Sequence, residues 1–362
     1  MAVVDRSAAN RLTATGGFCH LEEVWDHLTM TFFDAPVMST RVEEVDWIRD
    51  RLDPWSQHVA TSVIPSGFEA YARILHPAQV PSEGRDLVRW SDVSQWSDVP
   101  MSRSVQWHEI ALPRFPRTTR PPWWGQGPAE GDPYRDDLLS LVDVLTPLTD
   151  APERCFFCVW NGHFQTNAVQ YGSDITSVAL PRPDSPPRLV ELPNRSYGLF
   201  EGALTGVTSI DIAHRRNGQP PNLWWPSDRS WIVVSEIDLP WTYVGGSTAL
   251  IERVLADPRL ESLAVEPGDS YALVFTGWLG ELVDNATNEL LENDSATLEL
   301  SLGTVQMSWR RLGTRRKGTL VTSSVGPNGT SSTETPLRTG DAAHRRLVTY
   351  LRVRGGVLGL IR

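Results

Sequence analysis

The chain has 362 residues, a mass of 40.4 kDa and a net charge of −11, from 44 Asp+Glu against 33 Lys+Arg. It is 40% hydrophobic and 21% charged, enough to bury a sizeable core, which excludes collagen-like, coiled-coil and wholly disordered chains. Three Cys exclude a disulfide scaffold, and the length allows two domains or one large one.

Residues 1–37 show no sustained hydrophobic period and lack the basic head and apolar core of a secretory signal. They are expected to be a flexible extension or a start placed too early. From Met38 the pattern sharpens. Thr40 with Glu43 fits a capping box, and Val42, Val45, Ile48 and Leu52 recur at helical spacing until Asp53-Pro54. A second short helix is predicted after Ser66, with Phe68, Tyr71, Ala72 and Leu75 on one face and Pro77 as its stop. Trp90-Ser91-Asp92-Val93 and Trp96-Ser97-Asp98-Val99 echo each other. Two copies are too few for a solenoid and read as two turns of one amphipathic segment.

Residues 113–133 are rich in Pro and Gly and predict a loop. Residues 134–148 predict a helix burying Leu138, Leu141, Val142, Leu145 and Leu148. The apolar run 154–160 predicts a buried strand, with a turn at Asn161-Gly162. Five Pro in 181–193 predict an extended loop, and 196–213 predicts one or two strands, in SYGLFEGAL and TSIDIA.

Residues 222–263 carry the clearest local unit: a strand over 231–239, a loop over 240–246 ending in Gly245-Gly246, and a helix over 247–256. That helix is expected to bury Leu250, Ile251, Val254 and Leu255, and Asp257-Pro258 closes it. On the strand, Glu236 and Asp238 are two apart and share a face with Ile232 and Val234. Trp231, Val233, Ile237 and Leu239 take the other face. With Asp228 upstream, the two carboxylates form a candidate acidic cluster at a strand's C-terminal end, where α/β ligand sites open. Such pairs bind divalent cations, clamp arginines or do acid–base work. The plainer reading is a salt bridge to Arg229, Arg215 or Arg216, or a solvent-facing end. Trp241, Tyr243, Gly245, Gly246 and Ser247 then lead into a helix N-terminus that suits an anion. The P-loop pattern is absent, so the glycines equally read as turn chemistry.

Tryptophan is the compositional outlier, at 15 against 7 Tyr and 10 Phe. Trp224-Trp225 and Trp123-Trp124 sit beside Pro and Gly, which suits a ligand or partner groove or loop anchors folded onto the core. Cys155 and Cys158 match C-x-x-C, but no second ligand pair accompanies them. In a strand they point to opposite faces, so they read as core cysteines. The eight His form no metal pattern, and neither H-E-x-x-H nor G-x-S-x-G occurs. No metal and no cofactor is expected. No apolar run reaches the roughly 18 residues of a membrane span. The expected compartment is the cytoplasm, with no membrane partner and no nucleic acid on the acidic body.

Residues 297–362 hold 11 basic and three acidic residues, a charge of +8, so residues 1–296 carry −19. Residues 310–341 are low in apolar side chains and read as loose. The stretch LVTYLRVRGGVLGLI reads as a hairpin turning at Gly355-Gly356. The only lysine, Lys317, falls in this tail; the other 32 basic residues are Arg, as codon usage in a GC-rich genome produces. The tail is either an interaction arm or sequence read out of frame.

The segments SGFEAYARILHP, CFFCVWNGH and NLWWPSDRSWIVVSEIDLPWTYVGGS…LIERVLADPRLESL resemble a family of uncharacterised actinobacterial proteins, over about residues 42–290. The resemblance implies a soluble bacterial cytoplasmic protein whose shared body leaves out 1–37 and 297–362. It assigns no catalytic or binding residue. A looser likeness is to α+β immunity proteins that act as binding modules, without a motif match. The expected fold is therefore α+β: one compact mixed sheet-and-helix domain over 38–296, with loose extensions at 1–37 and 297–362. The expected function is a non-catalytic binding module for a basic protein partner. Its acidic, Trp-rich surface would comprise Asp228, Glu236, Asp238, Trp123, Trp124, Trp224, Trp225, Trp241 and Tyr243. The alternative is a hydrolase-type enzyme using Glu236 and Asp238.

Overall fold

The computed structural model describes residues 35–79, 87–112, 122–123, 127–163, 189–210 and 220–272. It also describes helical backbone at 281, 285 and 289, and the backbone of 295–300, 303–311, 317–326 and 329–338. The expectations for Trp124, for residues 1–34 and for the hairpin at 355–356 lie outside the described residues.

Among the described residues up to 272, eleven strands occur: β1 (Val37–Met38), β2 (Ala70–Leu75), β3 (Ala78–Gln79), β4 (Leu87–Val88), β5 (Cys155–Trp160), β6 (Leu189–Glu191), β7 (Ser196–Gly202), β8 (Leu223–Pro226), β9 (Ile232–Val234), β10 (Trp241–Gly246) and β11 (Ser262–Val265). Nine of them form one sheet in the order β1-β7-β5-β8-β9-β10-β2-β11, with β6 beside β1 on the outer edge of β7. Every pairing in it is antiparallel. Strands β3 and β4 pair as a separate ribbon. The helices are α1 (Asp46–Arg49), α2 (Trp90–Ser97), α3 (Trp107–Ala111), α4 (Arg135–Leu145) and α5 (Thr248–Ala256). This is the expected α+β domain.

An antiparallel sheet commonly leaves one face to water. Here both faces are covered, and strand alternation feeds two cores. Cys155, Phe157 and Val159 of β5 join Leu141 and Leu145 of α4 and Leu250, Ile251 and Val254 of α5. Phe156 and Cys158 join Ile48, Ile64, Trp90, Trp107 and Ile110 on the other side. Filling two cores from a chain with only 5 Met takes bulk from Trp. Of the eleven Trp with described side chains, seven are buried and four half-buried.

Several elements differ from expectation. Residues 70–75 form β2, not a helix: Tyr71 and Leu75 enter one core, Ala72 and Ile74 the other. A strand buried on both faces reads as a continuous apolar run, which helical spacing also matches. Thr40 does not cap the first helical turn; Arg41 stands at that N-cap without a side-chain bond. Within TSIDIA the described residues form no strand, because a 3-10 turn over Leu204–Thr208 precedes Ile210. Strand β9 stops at Val234, and the expected glycine loop is strand β10. Leu255 is 37% exposed rather than buried.

The segment read as loose also contains strand. β12 (Ser295–Leu300), β13 (Gly303–Arg311), β14 (Lys317–Gly326) and β15 (Gly329–Arg338) pair antiparallel as a meander. Alternating Thr, Ser and Val favour strand even where apolar content is low. Among the described residues no helix is long and apolar enough to cross a membrane.

Candidate functional site

Glu236 and Asp238 sit in the turn between β9 and β10, not on a strand. The Leu239 N–H donates to the Glu236 carbonyl at 3.0 Å and closes the turn. Gly131 braces it from outside, donating its N–H to the Leu239 carbonyl at 2.9 Å. Its φ of +67° is left-handed, and a Cβ there would lie 2.4 Å from the Ile237 Cα. Only glycine permits that approach.

The partner of the two carboxylates is Arg195, from the turn between β6 and β7. Its Nε and Nη2 donate to Glu236 Oε1 at 2.8 and 2.5 Å, and Nη2 donates to Asp238 Oδ2 at 2.8 Å. The guanidinium lies 5.8 Å from the centre of the Trp160 ring. Of the arginines expected from sequence, Arg229 reaches Glu44 instead, at 3.2 Å, and Arg215 and Arg216 lie outside the described residues. Glu236 is 6% exposed, whereas the Asp238 side chain is 49% exposed. Burial pushes the Glu236 carboxyl above its ordinary value, against the Arg195 hydrogen bonds that pull it down.

Asp228 does not join them. It lies in the β8–β9 turn, and successive turns of an antiparallel meander fall at opposite ends of their shared strand. Its Oδ1 accepts from the Ser230 N–H at 2.9 Å, a local turn contact.

Beside the triad opens a cleft of about 20 Å³. Leu52, Trp55, Val63, Leu192 and Leu223 supply apolar walls. Tyr197, Arg195, Ser235 and Glu236 supply polar ones. That volume holds about one water-sized group, far below the roughly 300 Å³ of a small-molecule site. Tyr197 is only 5% exposed, and its hydroxyl makes no hydrogen bond with a described residue. Tyr271, 7% exposed, packs against Trp55 with ring centres 5.5 Å apart, and its hydroxyl is likewise without a partner among the described residues. Burial, then the nearby Glu236 charge, pushes both phenols up.

The remaining predicted site residues are core. Trp224 and Trp225 are 0% exposed, and Trp241, Trp123 and Tyr243 are also buried. The expected Trp-rich surface is therefore corrected to a Trp-rich interior: β8 and β10 are inner strands with both faces packed. Trp96, Trp123, Trp107, Trp90, Trp241 and Tyr243 meet edge-on in succession, at 5.3, 5.4, 5.3, 6.4 and 6.2 Å between centres. Cys155 and Cys158 are free and buried in opposite cores, as the strand reading expects. Burial raises the Cys155 thiol to about 12 and raises Cys158 as well.

Arg195 was invisible in the sequence because it lies 41 residues from Glu236 and only the sheet order joins their turns. Half-buried Trp160 and Trp55 carried no signal either, since their neighbours on the chain are ordinary strand and turn residues. Among the described residues no three His, Cys, Asp or Glu side chains come together as a metal-ligand set. Comparison with protein-family models, with curated proteins and with solved structures finds no match for this chain.

Proposed function

We propose that the chain is a non-catalytic binding module that takes a basic protein segment at the Arg195–Glu236–Asp238 cluster. The observation that supports this reading is the charge at the cleft mouth. Two carboxylates, Glu236 and Asp238, converge on one guanidinium beside a cleft too small for a metabolite. Half-buried Trp55 and Trp160 flank it as aromatic contacts for a cationic side chain. The −19 of residues 1–296 supplies long-range steering toward a basic partner. The setting is cytoplasmic, in keeping with two free buried thiols.

The test is titration of fluorescent basic and acidic peptides at two salt concentrations. The basic peptide is expected to bind, more weakly at high salt, and Asp238→Asn to weaken it about three- to tenfold without changing Tm. Absence of basic-peptide binding, or binding indifferent to Asp238→Asn, sinks the proposal.

The second reading, a hydrolase-type enzyme, draws on one observation: Glu236 is a buried carboxyl with a raised pKa at a cleft. A thermal-shift screen with divalent cations and metabolites separates the two. The enzyme reading requires stabilisation by at least one of them.

A further inference from the structure

The cleft beside the triad has an unusual balance of groups. It is lined by a buried carboxylate, Glu236, and by the buried Tyr197, whose hydroxyl hydrogen-bonds to no described residue. The Tyr271 hydroxyl, buried behind Trp55, is unpartnered among the described residues in the same way and lies in the field of Glu236. Half-buried Leu52 and Trp55 and buried Leu192 add apolar surface to its lining.

We infer that this cleft is a reading pocket for one primary ammonium group, the head of a lysine side chain of the partner, and that it rejects arginine. Three observations converge on that ligand. The volume of about 20 Å³ admits a group the size of water, which an ammonium is and a planar guanidinium is not. The carboxylate and the phenol oxygen are acceptors, and an ammonium carries three donors and no acceptor. The apolar lining of Leu52, Trp55 and Leu192 suits a four-carbon stem that carries its charge at the tip. Arg195 stays in place, fixing the Glu236 carboxylate through Oε1 and holding it ready. Within the chain itself 32 of 33 basic residues are arginine, so almost none of its own side chains compete for such a pocket.

The identity of the partner rests on the binding reading above; the pocket's preference does not. The probe is therefore small. The full chain is titrated with n-butylammonium, n-butylguanidinium and n-butanol at matched ionic strength, read by Tm and by intrinsic fluorescence. Butylammonium is expected to raise Tm and saturate, with the other two at least about tenfold weaker. Glu236→Gln is expected to abolish the effect. Should that variant fold poorly, Tyr197→Phe, which removes one hydroxyl and keeps the ring, is expected to weaken butylammonium several-fold with the fold intact. Equal response to butylguanidinium, no response to butylammonium, or a response unchanged in Tyr197→Phe overturns the inference. The two proposals fail separately. Binding of polyarginine but not butylammonium leaves the module and removes the lysine pocket; the reverse leaves the pocket and removes the basic-protein partner.

Discussion

His76 follows β2 and is 1% exposed, with both ring nitrogens in use. Nδ1 lies 2.7 Å from the Ala129 carbonyl, so it carries the proton and donates. Nε2 then accepts from the Thr242 hydroxyl at 2.9 Å, which in turn pairs with Ser235 at 2.7 Å. Burial lowers its pKa to about 4 and so favours the neutral imidazole. Above about pH 6.5 the ring is neutral folded or unfolded and contributes no pH dependence. Below that the unfolded chain takes the proton first, so stability falls as pH drops from about 6.5 to 4, by up to about 3 kcal/mol. Asp137 has the opposite sign. It is 6% exposed in the first turn of α4, its Oδ2 lacks a hydrogen bond among the described residues, and burial raises its pKa to about 6. Its contribution is intact below about pH 3.8 and is lost as pH rises through 6, again by about 3 kcal/mol. The two offset each other over one window. Urea unfolding of the intact chain is expected to vary little in stability between about pH 4.5 and 6. Asp137→Asn is expected to gain about 1–2 kcal/mol at pH 7, less than the full shift because the helix N-terminus loses a charge. It should then lose stability steadily on acidification. A variant as flat as the parent contradicts the assignment. The cysteines make a simpler case. With both thiols raised and buried, neither Cys155 nor Cys158 is expected to react with an alkylating reagent until the chain unfolds, and labelling at either position in the native protein, located by peptide mass, would contradict that.

At the scale of elements, the β9–β10 hairpin shows what the sequence carried and what it did not. The alternation at Trp231 to Val234 was legible, and the structure sends Ile232 and Val234 to one core and Trp231 and Val233 to the other. The helix after it was legible from Ser247, whose hydroxyl accepts the Leu250 N–H at 3.3 Å as an N-cap. Gly245-Gly246 misled, because glycine signals a turn more often than a strand. Here the pair lies opposite Tyr71 and Ala70 in β2, and what needs the glycine is a side chain. A Cβ at Gly245 would lie 2.9 Å from Phe68 and 3.1 Å from Tyr71, two rings that cannot move aside cheaply. At Gly246 the nearest atoms are the flexible tip of Leu250, at 3.2 Å. Gly245→Ala is therefore expected to cost about 1–3 kcal/mol and Gly246→Ala clearly less, in paired chemical denaturations. Equal costs would mean the backbone conformation, not the packing, selects glycine at these positions.

At the scale of the whole molecule, one quantity read from sequence was sound and one reading was incomplete. The charge split of −19 and +8 is a property of the chain. Calling the basic part loose rested on its few apolar residues, and that rule weighs composition without phase. The register sets some apolar residues opposite one another across the strands, Leu298 opposite Val305 and Trp309 opposite Leu320. A one-residue slip in either pairing would separate these partners. Composition could not reveal this, since it depends on which residues pair across the turns. Hydrogen exchange of the full chain tests it strand by strand. β13 and β14 have a partner on both edges, so their amides are expected to exchange far more slowly than those of β12 and β15, whose outer edges have no strand partner among the described residues. If 303–311 and 317–326 exchange as fast as an unstructured peptide, the sheet does not persist in solution and the +8 segment acts as a loose basic arm. If the inner strands are protected, the positive charge sits on a fixed surface, and its field falls off with ionic strength as a folded domain's does.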